Sequence, residues 1–127
     1  MADMVNNPPH YVDSSITIEP IELLMYLDFC TGNALKYVIR AGKKGDRLED
    51  LKKAQWYLNK SLSAPQLKLE ERDANFLDTF FKIFITHSKN KIIQTVAKKG
   101  RSMDTFMYNL RLEIKSIIKA SEEEQVQ

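Results

Sequence analysis

"GNALKYVIRAGKKGDRLEDLKKAQWYL", residues 32–58, is the stretch on which the fold turns. Leu35, Val38 and Ile39 recur at helical spacing as far as Ala41, and Gly42 ends the run. After the loop "GKKG", Asp46 and Glu49 stand three residues apart, ahead of Leu48, Leu51, Ala54 and Leu58. That is an Asp-started form of the capping box and predicts a helix from about Arg47 to Ser61. Thr31 is the candidate cap of the preceding helix. The stretch therefore reads as helix, tight basic turn, helix.

The same reading extends outward in both directions. Upstream, the two prolines of "NNPPHY" remove backbone donors and disfavour helix, so residues 1–18 are expected to form an extended arm. Helical periodicity starts at "EPIELLMYLDF", with Pro20 in the first turn and Ile21, Leu24, Met25 and Leu27 as an apolar stripe. Downstream, "SAPQ" breaks the chain near Pro65. "RDANFLDTFFKIFITH", "KNKIIQTVAKKG" and "SMDTFMYNLRLEIKSIIKA" then read as further helices, with the "SEEEQVQ" tail expected to fray. Strand alternation and internal repeats are both missing. The expected fold is all-α: a compact helical domain of five to six helices with an extended N-terminal arm. Its expected divisions are 1–18 (arm), 19–62 (helical binding core) and 63–127 (helical C-terminal half).

With 127 residues, 43% of them hydrophobic, the chain can bury one sizeable core but not two. Its formal net charge of +2 argues against a general nucleic-acid coat, which carries a strong basic excess. Charge is nevertheless concentrated. Residues 31–60 hold eight basic and three acidic residues, a local +5, so the remainder carries −3. The single cysteine, Cys30, excludes an intrachain disulfide and suits a reducing compartment. Neither a membrane span nor the apolar core of a signal peptide is legible, so a soluble intracellular protein is expected.

The basic turn poses the functional question. Gly42 and Gly45 can expose backbone N–H groups, and the start of the following helix adds its dipole. Lys36 and Arg40 share a helical face, with Lys43 and Lys44 just beyond, which is a donor set suited to a polyphosphate. The alternative is a solvated basic turn in which Gly42 is an ordinary helix C-cap. The spacing is not that of a Walker A loop, because Gly42 and Gly45 are too close and no Lys-Ser or Lys-Thr follows. Tyr37 and Tyr57 are candidates for contact with a base, whereas Trp56 is expected in the core. His10, on the stiff "PPHY" backbone, is either a phosphate donor and acid–base group or a surface residue of the arm. His87 reads as a cap or surface residue, and the Glu19–Glu22 pair supports a metal site only weakly.

The order "NNPPHY", "IEPIELL", "LDFCTGNALKYVIRAGKKGDRLEDLKKAQWYL" resembles a small bacteriophage family, the SaV-like proteins, which includes the nucleotide kinase of short-tailed coliphages. The likeness covers about residues 6–60. It implies a nucleotide ligand and points to His10, Tyr11, Asn33, Lys36, Tyr37, Arg40, Lys43, Lys44, Asp50, Lys53 and Tyr57. The expected function is that of a nucleoside monophosphate kinase, moving phosphate from a nucleoside triphosphate donor to a deoxynucleoside monophosphate. Arg40 and the lysines would neutralise the transferring charge, while Asp50 or His10 would position the attacking phosphate or a bound metal. The alternative is a non-catalytic sponge for a nucleotide or nucleotide-derived defence signal. A nucleic-acid-binding protein ranks third, because Leu51, Trp56 and Leu58 commit the would-be recognition helix to a core. A homo-oligomer is expected from the apolar crowding of "NFLDTFFKIF", and the cytoplasm of an infected host is the expected location.

Overall fold

The computed structural model describes residues 19–63 and 71–126, so the arm over 1–18 lies outside the described residues. Six helices follow one another: α1 (Pro20–Leu24), α2 (Phe29–Arg40), α3 (Arg47–Ser63), α4 (Glu71–His87), α5 (Lys91–Ala97) and α6 (Met103–Val126). No strand occurs among the described residues, and the fold is all-α.

Local chemistry sets the ends of these helices. The Asp28 carboxylate accepts from the Thr31 N–H at 3.0 Å, so α2 starts at Phe29 and Thr31 lies inside the helix instead of capping it. Asp46 accepts from Leu48 and Glu49 at 2.9 and 3.3 Å and starts α3 as its sequence predicts. At the start of α1 the Glu19 N–H donates to Glu22, 3.0 Å away, so this acidic pair closes a capping box. The helix stops at Leu24, and of the expected stripe Leu24 and Leu27 pack partly buried against the core. Leu23 is its buried residue, whereas Ile21 and Met25 are exposed. The C-terminal tail also departs from expectation. α6 runs on to Val126, and Lys52 of α3 reaches Glu122 at 3.8 Å.

One hydrophobic core draws on all six helices. Leu35 and Val38 of α2 and Leu51, Ala54 and Leu58 of α3 meet Phe81, Ile93, Phe106 and Leu110 there. Phe81 and Phe106 meet edge to face, their centroids 5.1 Å apart. Trp56 is not part of this core: it is 56% exposed. The buried face of α3 is set by residues 51, 54 and 58, and two residues beyond Ala54 the helix has turned through about 200°. In α4, Leu77, Phe81 and Phe84 are buried within the chain itself. Phe76 remains 56% exposed, stacked on Phe80 at 5.7 Å and edge-on to Tyr26 at 6.1 Å.

Two polar contacts tie distant segments together. Asn90 caps α5 through its Oδ1, which accepts from Ile93 N–H at 3.0 Å, while its Nδ2 donates to the Val38 carbonyl of α2 at 3.2 Å. Asp78 of α4 accepts from the Met103 N–H at 3.2 Å and pairs with Lys82 at 2.9 Å, holding the start of α6. Its hydrogen bond from Lys82, followed by that from the Met103 amide, lowers the Asp78 pKa against the opposing effect of burial.

Between α2 and α3, Asp50 is only 3% exposed, and its Oδ2 lies 3.7 Å from Nε of Arg40 with no hydrogen bond to that oxygen. Removing the guanidinium leaves a buried charge uncompensated. Arg40→Met is expected to cost about 1–3 kcal/mol in denaturant unfolding. The double variant Arg40→Met/Asp50→Leu should recover part of that loss, and strict additivity would show that the pair is not coupled.

A carboxylate with a lowered folded-state pKa stabilises above its unfolded pKa, and the contribution is lost as pH falls through the folded value. Asp78→Asn should therefore destabilise at neutral pH, with the gap to the parent closing below the ordinary carboxylate range. Thermal melts across an acid series check this, and a gap independent of pH would refute it.

Candidate functional site

α2 and α3 run antiparallel through the Gly42–Gly45 turn, where both glycines take positive φ, 86° and 67°. The outer face of this pair carries Phe29, Asn33, Lys36, Tyr37 and Arg40 from α2 and Lys53, Trp56, Tyr57 and Lys60 from α3, with Asp50 buried beside Arg40 at its edge. Tyr37 and Tyr57 stack with centroids 5.9 Å apart and planes 12° from parallel. Phe29 and Trp56 each meet Tyr57 edge to face, at 6.0 and 5.1 Å. Phe29 is 74% exposed, so it and Trp56 leave aromatic surface open to solvent.

Cations are interleaved with these rings. Lys36 Nζ lies 4.7 Å from the Tyr37 centroid, Lys53 lies 5.5 Å from the same ring, and Lys60 lies 5.4 Å from that of Trp56. Lys53 also bridges to Glu49 at 3.5 Å. Asn33 spends its amide donor on its own helix, giving a 2.8 Å bond to the Phe29 carbonyl.

Of the residues singled out in the sequence, Asn33, Lys36, Tyr37, Arg40, Asp50, Lys53 and Tyr57 come together on this strip. Lys43 and Lys44 stand at its end, exposed on the turn. His10 and Tyr11 lie outside the described residues. The strip also includes Phe29 and Trp56, and their signal was helical register: each lies off the buried face of its helix.

The turn itself differs from a phosphate cradle. Two of the amides at the start of α3, those of Leu48 and Glu49, are taken by Asp46, and the Lys43 N–H donates to the Arg40 carbonyl at 2.9 Å. Arg40 is committed in part to Asp50. An anion at this turn would meet the exposed lysine side chains of Lys43 and Lys44 before the backbone. Among the described residues no group of three or more His, Cys, Asp or Glu converges as metal ligands. No helix among them is long and apolar enough to cross a membrane.

Comparison with known proteins adds one likeness. A family model described as a protein of unknown function (DUF3310) matches residues 5–59, which takes in α1, α2, the turn and most of α3. No curated protein and no solved structure matches the chain. The matched segment contains the whole strip except Lys60, and the chain is similar to that family over this segment.

Proposed function

We propose that the protein binds a nucleotide on the α2–α3 strip, with the base against the open aromatic surface of Phe29 and Trp56 and the phosphates among Lys36, Lys53, Lys43 and Lys44. The observation that carries this reading is the stacked Tyr37–Tyr57 pair with two lysines over Tyr37 and two exposed rings beside it. Stacking tolerates any base, and lysine supplies charge without fixed geometry. In its enzymatic form, suggested by the resemblance to the SaV-like phage proteins, the protein is a nucleoside monophosphate kinase acting in the infected host. A nucleoside triphosphate is then the donor, and Arg40, Lys43 and Lys44 neutralise the transferring phosphoryl group. The second reading, sequestration without turnover, is favoured by one specific contact: Asp50 is buried and faces Arg40 instead of open solvent.

Incubation with a nucleotide panel, then mass spectrometry of the solution and of the denatured protein, separates the two. Converted products mean turnover, and unchanged nucleotide released on denaturation means storage. Trp56→Ala should weaken binding roughly 5- to 150-fold, since stacking on an aromatic contributes about 1–3 kcal/mol per base. Tyr108→Ala, at an exposed aromatic on α6, is the matched control. Titration calorimetry with equal affinities for parent and Trp56→Ala would remove the strip from the site.

Self-association belongs to the same proposal. Ile21, Met25, Tyr26 and Phe76 leave apolar surface exposed on α1, the turn after it and α4. Phe76→Asp should shift the sedimentation of the protein toward monomer, and a parent that is already monomeric at micromolar concentration would refute the idea.

A further inference from the structure

A second basic segment lies in the other half of the chain. Between Asp78 and Asp104 the sequence holds Lys82, Lys89, Lys91, Lys98, Lys99 and Arg101 and no acidic residue. Three of these are engaged: Lys82 with Asp78, Lys99 with Glu113 at 3.6 Å, and Arg101 with the Thr86 hydroxyl at 3.2 Å. Lys89 and Lys91 are exposed and have no ion-pair partner among the described residues. Both flank Asn90, whose amide is bonded to the Val38 carbonyl in the last turn of α2. That bond brings the α4–α5 turn to the end of the molecule where Lys43 and Lys44 stand.

The acidic residues of the α2–α3 pair offset this charge only in part, three against eight basic residues over 31–60. Asp46 caps α3, Glu49 bridges to Lys53, and Asp50 is buried against Arg40. The Lys43–Lys44 turn follows Arg40 at the end of the strip, which spans about 16 Å from Phe29 to Arg40 at 1.5 Å per residue. A stacked strand advances about 3.4 Å per nucleotide, so that length matches roughly five nucleotides and exceeds one.

We infer that this surface binds single-stranded nucleic acid, with bases stacked along the α2–α3 strip and the backbone phosphates leading to Lys43, Lys44, Lys89 and Lys91. The inference rests on the base-stacking reading of the strip and extends it from a nucleotide to a polymer. An unpaired strand is favoured over a duplex because the exposed faces of Phe29 and Trp56 need free base faces to stack on.

Fluorescence anisotropy with a labelled short oligothymidylate, repeated over a salt series, tests it on the full chain. Each phosphate contact on a single strand contributes about 0.7 to the slope of log affinity against log salt. The double variant Lys89→Ala/Lys91→Ala should therefore flatten the slope by about 1.4 and weaken oligonucleotide binding, while thymidine monophosphate binding stays at the parental value. Lys115→Ala/Lys119→Ala, which removes equal charge from exposed positions on α6, should leave the slope unchanged. An unchanged slope in the Lys89/Lys91 variant overturns the inference. So does equal affinity for a duplex, or binding of the mononucleotide without the oligonucleotide, and in that last case the nucleotide reading survives. If neither ligand binds, both readings fall.

Discussion

Reversing the chain within the four residues from Gly42 to Gly45 is the constraint on which the molecule depends. Both end positions take left-handed backbone, which a Cβ would penalise by about 1–2 kcal/mol at each. The turn fixes the register of α2 against α3, and the register serves two faces at once. Inward it places Leu35 and Val38 among Leu51, Ala54 and Leu58, in one buried cluster. Outward it sets Arg40 beside Asp50 and Tyr37 against Tyr57. The core and the aromatic strip are two products of a single chain reversal, so a shift that spoiled one would spoil the other.

Charges on this pair of helices are divided between structure and solvent. Arg40 supports a buried carboxylate and Asp46 satisfies the start of α3, so neither is wholly available to a ligand. The lysines differ. Exposed ion pairs contribute little to stability, so Lys43, Lys44, Lys36 and Lys53 can answer to a bound anion at small cost to the fold.

Much of this was legible in the sequence, and the misses have definite causes. The Asp46 cap and the glycine turn are local signals, encoded within a few residues, and they located α3 correctly. The cap of α2 was misplaced because Thr31 and Asp28 are both good caps, and only the backbone geometry shows which carbonyls and amides are left over. Trp56 was assigned to the core on residue type, although the spacing of Leu51, Ala54 and Leu58 already put it on the opposite side of α3. Seven of the candidate site residues fall on one strip because their helical spacing is itself a local property. The segment "KNKIIQTVAKKG" is visibly basic in the sequence, but its approach to the first basic turn depends on a bond between residues 90 and 38, which no local pattern announces. A net charge of +2 averages over that geometry and conceals it.

Asn90 uses both ends of one amide, accepting from α5 through its oxygen and donating to α2 through its nitrogen. Few side chains can do both. Aspartate would keep the α5 cap yet set a negative oxygen against the Val38 carbonyl, at the negative end of the α2 dipole. Spontaneous deamidation would make that very change, turning a tether between the two halves of the chain into a repulsion. A helix cap and a long-range contact thus share one amide, and its slow chemical ageing would part the two basic turns.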